Sequence, residues 1–261
     1  MDYREYFIKC RESYGENHEA NLHAFYEKPT RPIPTQSFNE EYARAILKIS
    51  AQVYDYFTEN KSKGDIFFKY PDIWSLEKEI KTLSKYLVPH LEKTMYGCHL
   101  YVDKVYIFRT ASCDRESSYI WHYDNNPNEI VKNIIYLNDV NEFNSPFEYL
   151  SNPEGEGVLF SARRKGPEIW ISAPNGSRIP DEVKALIEKG YRPKIITGPK
   201  GTGFTFNNNV AHRANPVEKG YRDIINIRVK PTLKKIEYIN KKYTTSFETS
   251  GVVNPNPQII Q

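Results

Sequence analysis

Long apolar runs, methionine and a cysteine framework are all missing or scarce in this 261-residue chain. No stretch approaches the roughly 20 consecutive apolar residues that a membrane-spanning helix needs, so no membrane role is expected. The start, Met1-Asp2-Tyr3-Arg4-Glu5, has none of the basic-then-apolar layout of a secretory leader, which points to a cytoplasmic protein. Cys10, Cys98 and Cys113 stand far apart without CxxC spacing. They indicate neither a disulfide scaffold nor a zinc cage, and a reducing compartment fits them. Charge of one sign is scarce too: 36 basic against 33 acidic residues leave a formal +3, which gives no general case for nucleic acid. Gly198-Pro199-Lys200-Gly201-Thr202-Gly203 lacks the GxxxxGK[ST] order and precedes a strand, so it is not a phosphate loop.

Aromatic residues, by contrast, are plentiful, with twenty Tyr and thirteen Phe, and they favour strands over helical bundles. The length suits one large β-rich domain, expected over residues 37 to 240. Residues 1 to 36 are polar and end in Pro29, Pro32 and Pro34, which predicts an irregular arm or lid. Tyr42, Ile46, Ile49, Val53 and Phe57 recur at helical spacing, predicting a helix over about 39 to 58 with Ser37 and Glu40 as a capping box. Leu76, Ile80, Leu83, Leu87 and Leu91 predict a second helix, with Ser75 as N-cap, Pro89 as a kink or stop, and Gly97 closing it. Residues 37 to 98 are thus helical support.

From Leu100 the period switches to that of strands, expected near 100 to 108, 118 to 124, 130 to 137, 146 to 150, 157 to 161, 203 to 207 and 221 to 230. A short helix near 181 to 189 should end at Gly190. Helices followed by a run of strands, without βαβ alternation, predict a mainly β domain: a sandwich or jelly roll backed by helices on one face, with its β core over 99 to 230. Residues of about 151 to 200 read as a lid insertion, and 241 to 261 as a polar tail.

The β core carries Trp121-His122-Tyr123-Asp124, and later an isolated His212. Residues i and i+2 of a strand share a face, so an imidazole and a carboxylate at that spacing can converge on one ion while a distant strand supplies a third ligand. Two His and one carboxylate with open positions suit non-heme Fe(II). Arg222 and Arg228 follow in one strand, six apart and on one face with Ile224 and Asn226. Two guanidinium groups on such a face need partners: a dicarboxylate suits them, or a structural Asp or Glu.

With these residues in place, the chain resembles the Fe(II)/2-oxoglutarate-dependent oxygenases, and within them the phytanoyl-CoA dioxygenase-like branch. The resemblance runs over about residues 100 to 230. It rests on Trp121 to Asp124, the strand from Lys132 to Val140, the turn Asn144-Ser145-Pro146-Phe147-Glu148-Tyr149, and Gly203-Phe204-Thr205-Phe206-Asn207 leading to His212 and Arg222. It implies a double-stranded β-helix, iron on His122, Asp124 and His212, and Arg222 on the distal carboxylate of 2-oxoglutarate. Arg228 would match a second arginine found in some branches. Oxygen would be the other co-substrate, with succinate and CO2 released. Because Asp124 stands where a small residue would leave room for halide, the resemblance implies hydroxylation or a related oxidation of a small molecule.

Further co-substrate contacts are expected from Lys132 and Tyr136, which share a strand face, and from Tyr106, Arg109 and Thr205. Ser145-Pro146 replaces the glycine-containing turn of many relatives. The arm, Trp170 and the run Arg163-Arg164-Lys165 permit an anionic or aromatic-stacking substrate without choosing one. Two other classes share these residues: a zinc hydrolase using the same His/Asp/His set, which leaves the arginine face unexplained, and a catalytically silent binding module.

Overall fold

The computed structural model describes residues 3–14, 32–35, 37–60, 67–111, 117–124, 126–160, 163–164, 170–171 and 177–244. Two antiparallel sheets face each other. The larger has the order β1 (Ile33–Thr35), β9 (Gly203–Asn207), β4 (Val131–Tyr136), β11 (Arg222–Thr232), β3 (His99–Thr110), β2 (Phe67–Lys69). The smaller is β10 (His212–Ala214), β5 (Phe147–Ser151), β8 (Arg192–Ile196), and a separate hairpin joins β6 (Arg163–Arg164) to β7 (Trp170–Ile171).

Side-chain alternation divides the larger sheet cleanly. Val131 and Ile135 of β4, Val105 and Ile107 of β3, and Ile225 and Ile227 of β11 join one core with the helices α1 (Tyr3–Tyr14), α2 (Glu40–Glu59) and α3 (Glu77–Leu91). The opposite residues, Ile134, Tyr136, Phe204, Phe206 and Ile224, meet Phe147 of the smaller sheet in a second core. Outside the smaller sheet, Leu150 packs with Ile179 and Val183 beneath α4 (Pro180–Glu188). The mainly β architecture backed by N-terminal helices is therefore the one expected. Among the described residues no helix is long and apolar enough to cross a membrane.

Several local expectations need correction. The arm contains a helix, because Tyr3, Tyr6, Phe7 and Cys10 fall at i, i+3, i+4 and i+7 and are all buried, and its end supplies β1, which pairs with β9. The N-cap of α2 is Asn39, whose side chain accepts from the Tyr42 amide at 2.9 Å, so Ser37 lies outside the helix and the capping box does not form. Replacing Asn39 with Ala should lower stability by about 1 kcal/mol in denaturant unfolding, while Ser37→Ala should change little. Before α3 the chain makes a 3-10 turn capped by Asp72 rather than Ser75, and the helix runs through Pro89 into a π turn that Gly97 ends in the left-handed conformation at φ 61°. Residues 118 to 124 form a 3-10 turn and an isolated bridge, not a strand, and 157 to 161 contribute only bridges within the described residues. The 151 to 200 insertion is more than a lid, since β8 is hydrogen-bonded to β5. Lys165 and the tail beyond residue 244 lie outside the described residues.

Candidate metal centre

His122 sits between two partners. Its backbone N–H and carbonyl exchange hydrogen bonds with those of His212 at 3.0 and 2.9 Å, and on its other side it bridges to Arg178. Residues directly opposite in an antiparallel ladder project to the same side, so the pairing itself sets the two imidazoles side by side. Their ring centroids are 4.3 Å apart. In each ring Nδ1 faces the carbonyl two residues back, Ile120 at 2.8 Å for His122 and Val210 at 2.7 Å for His212. A backbone carbonyl can only accept, so both Nδ1 atoms carry the proton and both Nε2 lone pairs are free.

Asp124 completes the set. Its amide donates to the Asn208 carbonyl at 2.9 Å, which fixes the backbone, and its Oδ2 lies 3.8 Å from His212 Nε2. Each of the three side chains offers one ligand atom, and these atoms lie within 4.8 Å of one another. Burial lowers the basicity of both rings, and the neighbouring imidazole adds to this for His122, so both are held neutral. Burial works against the charged form of Asp124. The Lys132 ammonium, through its charge and its hydrogen bond, is foremost among the groups that keep the carboxyl well below the usual range. Two neutral imidazoles and one carboxylate, with second nitrogens tied to backbone, are the donor set and orientation that a divalent first-row metal requires.

Arg222 opens β11 on the face that carries Ile224 into the inter-sheet core. Its guanidinium is buried, Nη2 reaches Thr110 Oγ1 only at 3.5 Å, and Nε has no hydrogen-bond partner among the described residues. No described carboxylate pairs with it, and burial lowers its basicity. Tyr136 stands beside it, its hydroxyl donating to the Ile196 carbonyl at 2.7 Å and accepting from the Phe147 amide at 3.1 Å. Tyr136 thus ties the sheets together and braces Arg222. Lys132 lies on the same face of β4 and forms a 2.6 Å ion pair with Asp124 Oδ2. Tyr106 stands opposite Asn226 on the interior side of β3, and the Asn226 Oδ1 is buried without a hydrogen-bond partner among the described residues.

Three expected contacts are displaced. Arg228 is engaged by Asp103, through Nε at 2.9 Å and Nη2 at 2.6 Å, so its fork is not open to a co-substrate. Thr205 alternates with Phe204 and Phe206, which face the inter-sheet core, so its hydroxyl points the other way and donates to Asn133. Arg109 also faces outward, where it forms a double hydrogen bond with Asp223, both at 2.7 Å, under the Tyr221 ring. Arg178, which no spacing in the sequence singles out, stands in the row of the two histidines.

No family model matches the chain. Among curated proteins it is 26% identical to L-proline trans-4-hydroxylase of Streptomyces griseoviridis over 36% of this chain, and the match spans 38% of that enzyme. Among solved structures it is similar to the epimerase SnoN from nogalamycin biosynthesis in complex with Fe3+, alpha ketoglutarate and nogalamycin RO, with TM-score 0.51 and 12% identity over 81% of this chain and 82% of that one. It is similar also to EctD from S. alaskensis with 2-oxoglutarate and 5-hydroxyectoine, with TM-score 0.51 and 12% identity over 80% of this chain and 74% of that one. These likenesses show the fold, the jelly roll that the sequence led one to expect.

Proposed function

We propose that this chain is a non-heme Fe(II)- and 2-oxoglutarate-dependent oxygenase of the phytanoyl-CoA dioxygenase-like branch. It acts in the cytoplasm on a small molecule, with His122, Asp124 and His212 holding the metal and Arg222 the distal carboxylate of the co-substrate. When bound, iron, 2-oxoglutarate and O2 together supply the oxidation of a substrate C–H bond, coupled to release of succinate and CO2. The observation that carries the reading is Arg222. A buried guanidinium that has, among the described residues, no carboxylate partner and an unbonded Nε is costly unless an anion completes it. A zinc hydrolase would give the His/Asp/His set a use and leave this cation without one.

The remaining residues divide the work. Ile120 and Val210 hold the imidazole protons on Nδ1, so Nε2 stays available as a donor atom. Lys132 holds Asp124 Oδ2 at 2.6 Å and so restrains the carboxylate beside the two imidazoles, where it would help to hold the metal. The phenyl rings of Phe147 and Phe206 pack against His212 at centroid distances of 5.4 and 5.1 Å and keep water from that side. Hydroxylation is the favoured outcome because Asp124 occupies a ligand position and because a proline hydroxylase is among the relatives. A product that has gained one oxygen atom would support it, and an isomer of equal mass would shift the reaction to epimerisation.

The co-substrate site is tested without knowing the substrate. Anaerobic addition of Fe(II) and 2-oxoglutarate should produce the weak visible charge-transfer band of a metal-chelated keto-acid. Arg222→Ala should raise the 2-oxoglutarate concentration needed by about ten- to a hundredfold, since a charge-assisted contact is worth roughly 1.5 to 3 kcal/mol, while metal affinity stays nearly intact. Absence of keto-acid binding by fully metal-loaded wild type would sink the reading.

A further inference from the structure

Arg178 enters the site through backbone geometry. The Tyr123 amide donates to the Ser177 carbonyl at 3.3 Å and the Ile179 amide to the Trp121 carbonyl at 2.8 Å, so His122 and Arg178 form the non-hydrogen-bonded pair between two ladder bonds. Side chains of such a pair stand on one face and closer together than in the bonded pairs. Arg178, His122 and His212 therefore form a row across three adjacent segments, all projecting toward Asp124. The two histidines are buried, whereas Arg178 is half-exposed, which places it at the outer rim of the row. Among the described residues its guanidinium has no hydrogen-bond or ion-pair partner, and it interacts electrostatically with His122, His212 and Asp124.

The charge in the site is unbalanced. Among the described residues, Lys132, Arg178 and Arg222 lie about a single carboxylate not engaged elsewhere, Asp124, because Asp103 is already occupied by Arg228 and by Lys230 at 2.9 Å. A divalent metal and a dianionic keto-acid cancel each other, so loading the site leaves the positive excess in place. Arg222 has its anion in the co-substrate and Lys132 has Asp124. Arg178 is left over, half-exposed in the row of the metal-ligating histidines.

We propose that the substrate of this site is an anion, a small molecule bearing a carboxylate or phosphate group, and that Arg178 is the residue that binds that group. This rests on the site being a 2-oxoglutarate-dependent centre. A guanidinium fork at the rim of the histidine row fixes one end of the substrate and so sets which carbon faces the metal, making Arg178 a determinant of specificity as well as affinity.

The Fe(II)-loaded protein with 2-oxoglutarate and O2 should be given paired compounds that differ in one charge: the common L-amino acids against their amides, and phosphomonoesters against the parent alcohols. The measurement is succinate release above the rate without added compound. One family of anions should be preferred over its neutral counterparts by about tenfold or more in kcat/KM, as expected for a charge-assisted contact. Which family responds separates carboxylate from phosphate. In Arg178→Gln the preference should fall below about threefold, and Arg178→Lys should restore part of it, with the KM for 2-oxoglutarate moving far less than in Arg222→Ala. A panel in which no anion outperforms its neutral partner overturns the proposal, as does a preference that survives in Arg178→Gln. So does an Arg178→Gln variant whose main defect is in 2-oxoglutarate KM. Failure of the wild type to release any succinate or bind any keto-acid is a different result, and it would remove the underlying reading of the site instead.

Discussion

Asp124→Ala should abolish turnover, with at least about a thousandfold loss of succinate release, and the anaerobic charge-transfer band should vanish with it. The carboxylate is the only anion in the donor set, so its removal takes away charge neutralisation as well as one ligand. It also frees Lys132, whose 2.6 Å partner is lost, and leaves that ammonium beside two imidazoles with nothing to balance it. Both effects oppose a divalent cation. Asp124→Asn would keep the shape and a neutral oxygen while removing the charge. It should retain more metal than Ala and still be severely impaired, which separates geometry from electrostatics. Loss of the Lys132 ion pair should also lower stability, although the backbone contact from Asp124 N–H to Asn208 survives both changes. Metal content and the visible band read the outcome directly. Near-normal metal binding in Asp124→Ala would exclude Asp124 as a ligand.

Arg228→Ala should instead act on stability, by about 3 kcal/mol or more in denaturant unfolding, because it leaves a buried carboxylate short of its main partner. Asp103 lies where the register of β3 against β11 shifts, from Arg228 opposite Lys104 to Val229 opposite Val102, so it has no residue across from it. That irregularity turns the Asp103 side chain onto Arg228 and Lys230. Burial alone would raise its pKa. Arg228 and then Lys230 outweigh this and bring it down to about 2. A folded-state pKa below the unfolded value means the stabilisation is fully present above about pH 4 and is lost as the pH falls through 2. The acid-dependent part of unfolding should therefore shrink in Arg228→Ala. Arg228→Lys keeps the charge without the fork and should recover only part of the loss. If the variant were as stable as wild type and defective in 2-oxoglutarate binding, Arg228 would return to the co-substrate.

The two arginines of β11 show how far a sequence can be read. Period-two alternation puts Arg222 and Arg228 on one face, and they are on one face. Nothing in the spacing says that Asp103, 125 positions away, waits opposite one of them while no described carboxylate meets the other. Thr205 teaches the same point in reverse. Its strand, 203 to 207, is visible in the sequence to the residue, yet which face turned inward depended on the sheet across from Phe204 and Phe206. The N-terminal helix was legible in principle from Tyr3, Tyr6, Phe7 and Cys10, but its polar composition and the later prolines masked a stripe that gains its energy only by docking on the larger sheet.

By itself the sequence determined the helical support, most strands of the β core and the His122, Asp124, His212 set, because these depend on local periodicity and residue chemistry. The tertiary structure decided which cations are spent and which are available. Arg228 is closed by Asp103, Arg222 is left open toward the site, and Arg178 reaches the histidine row through a bridge to His122. The physical reason is that an ion pair and a cross-strand neighbour are matters of distance in space. Strand period fixes the face of a side chain, and only the packing of distant segments fixes what that face meets.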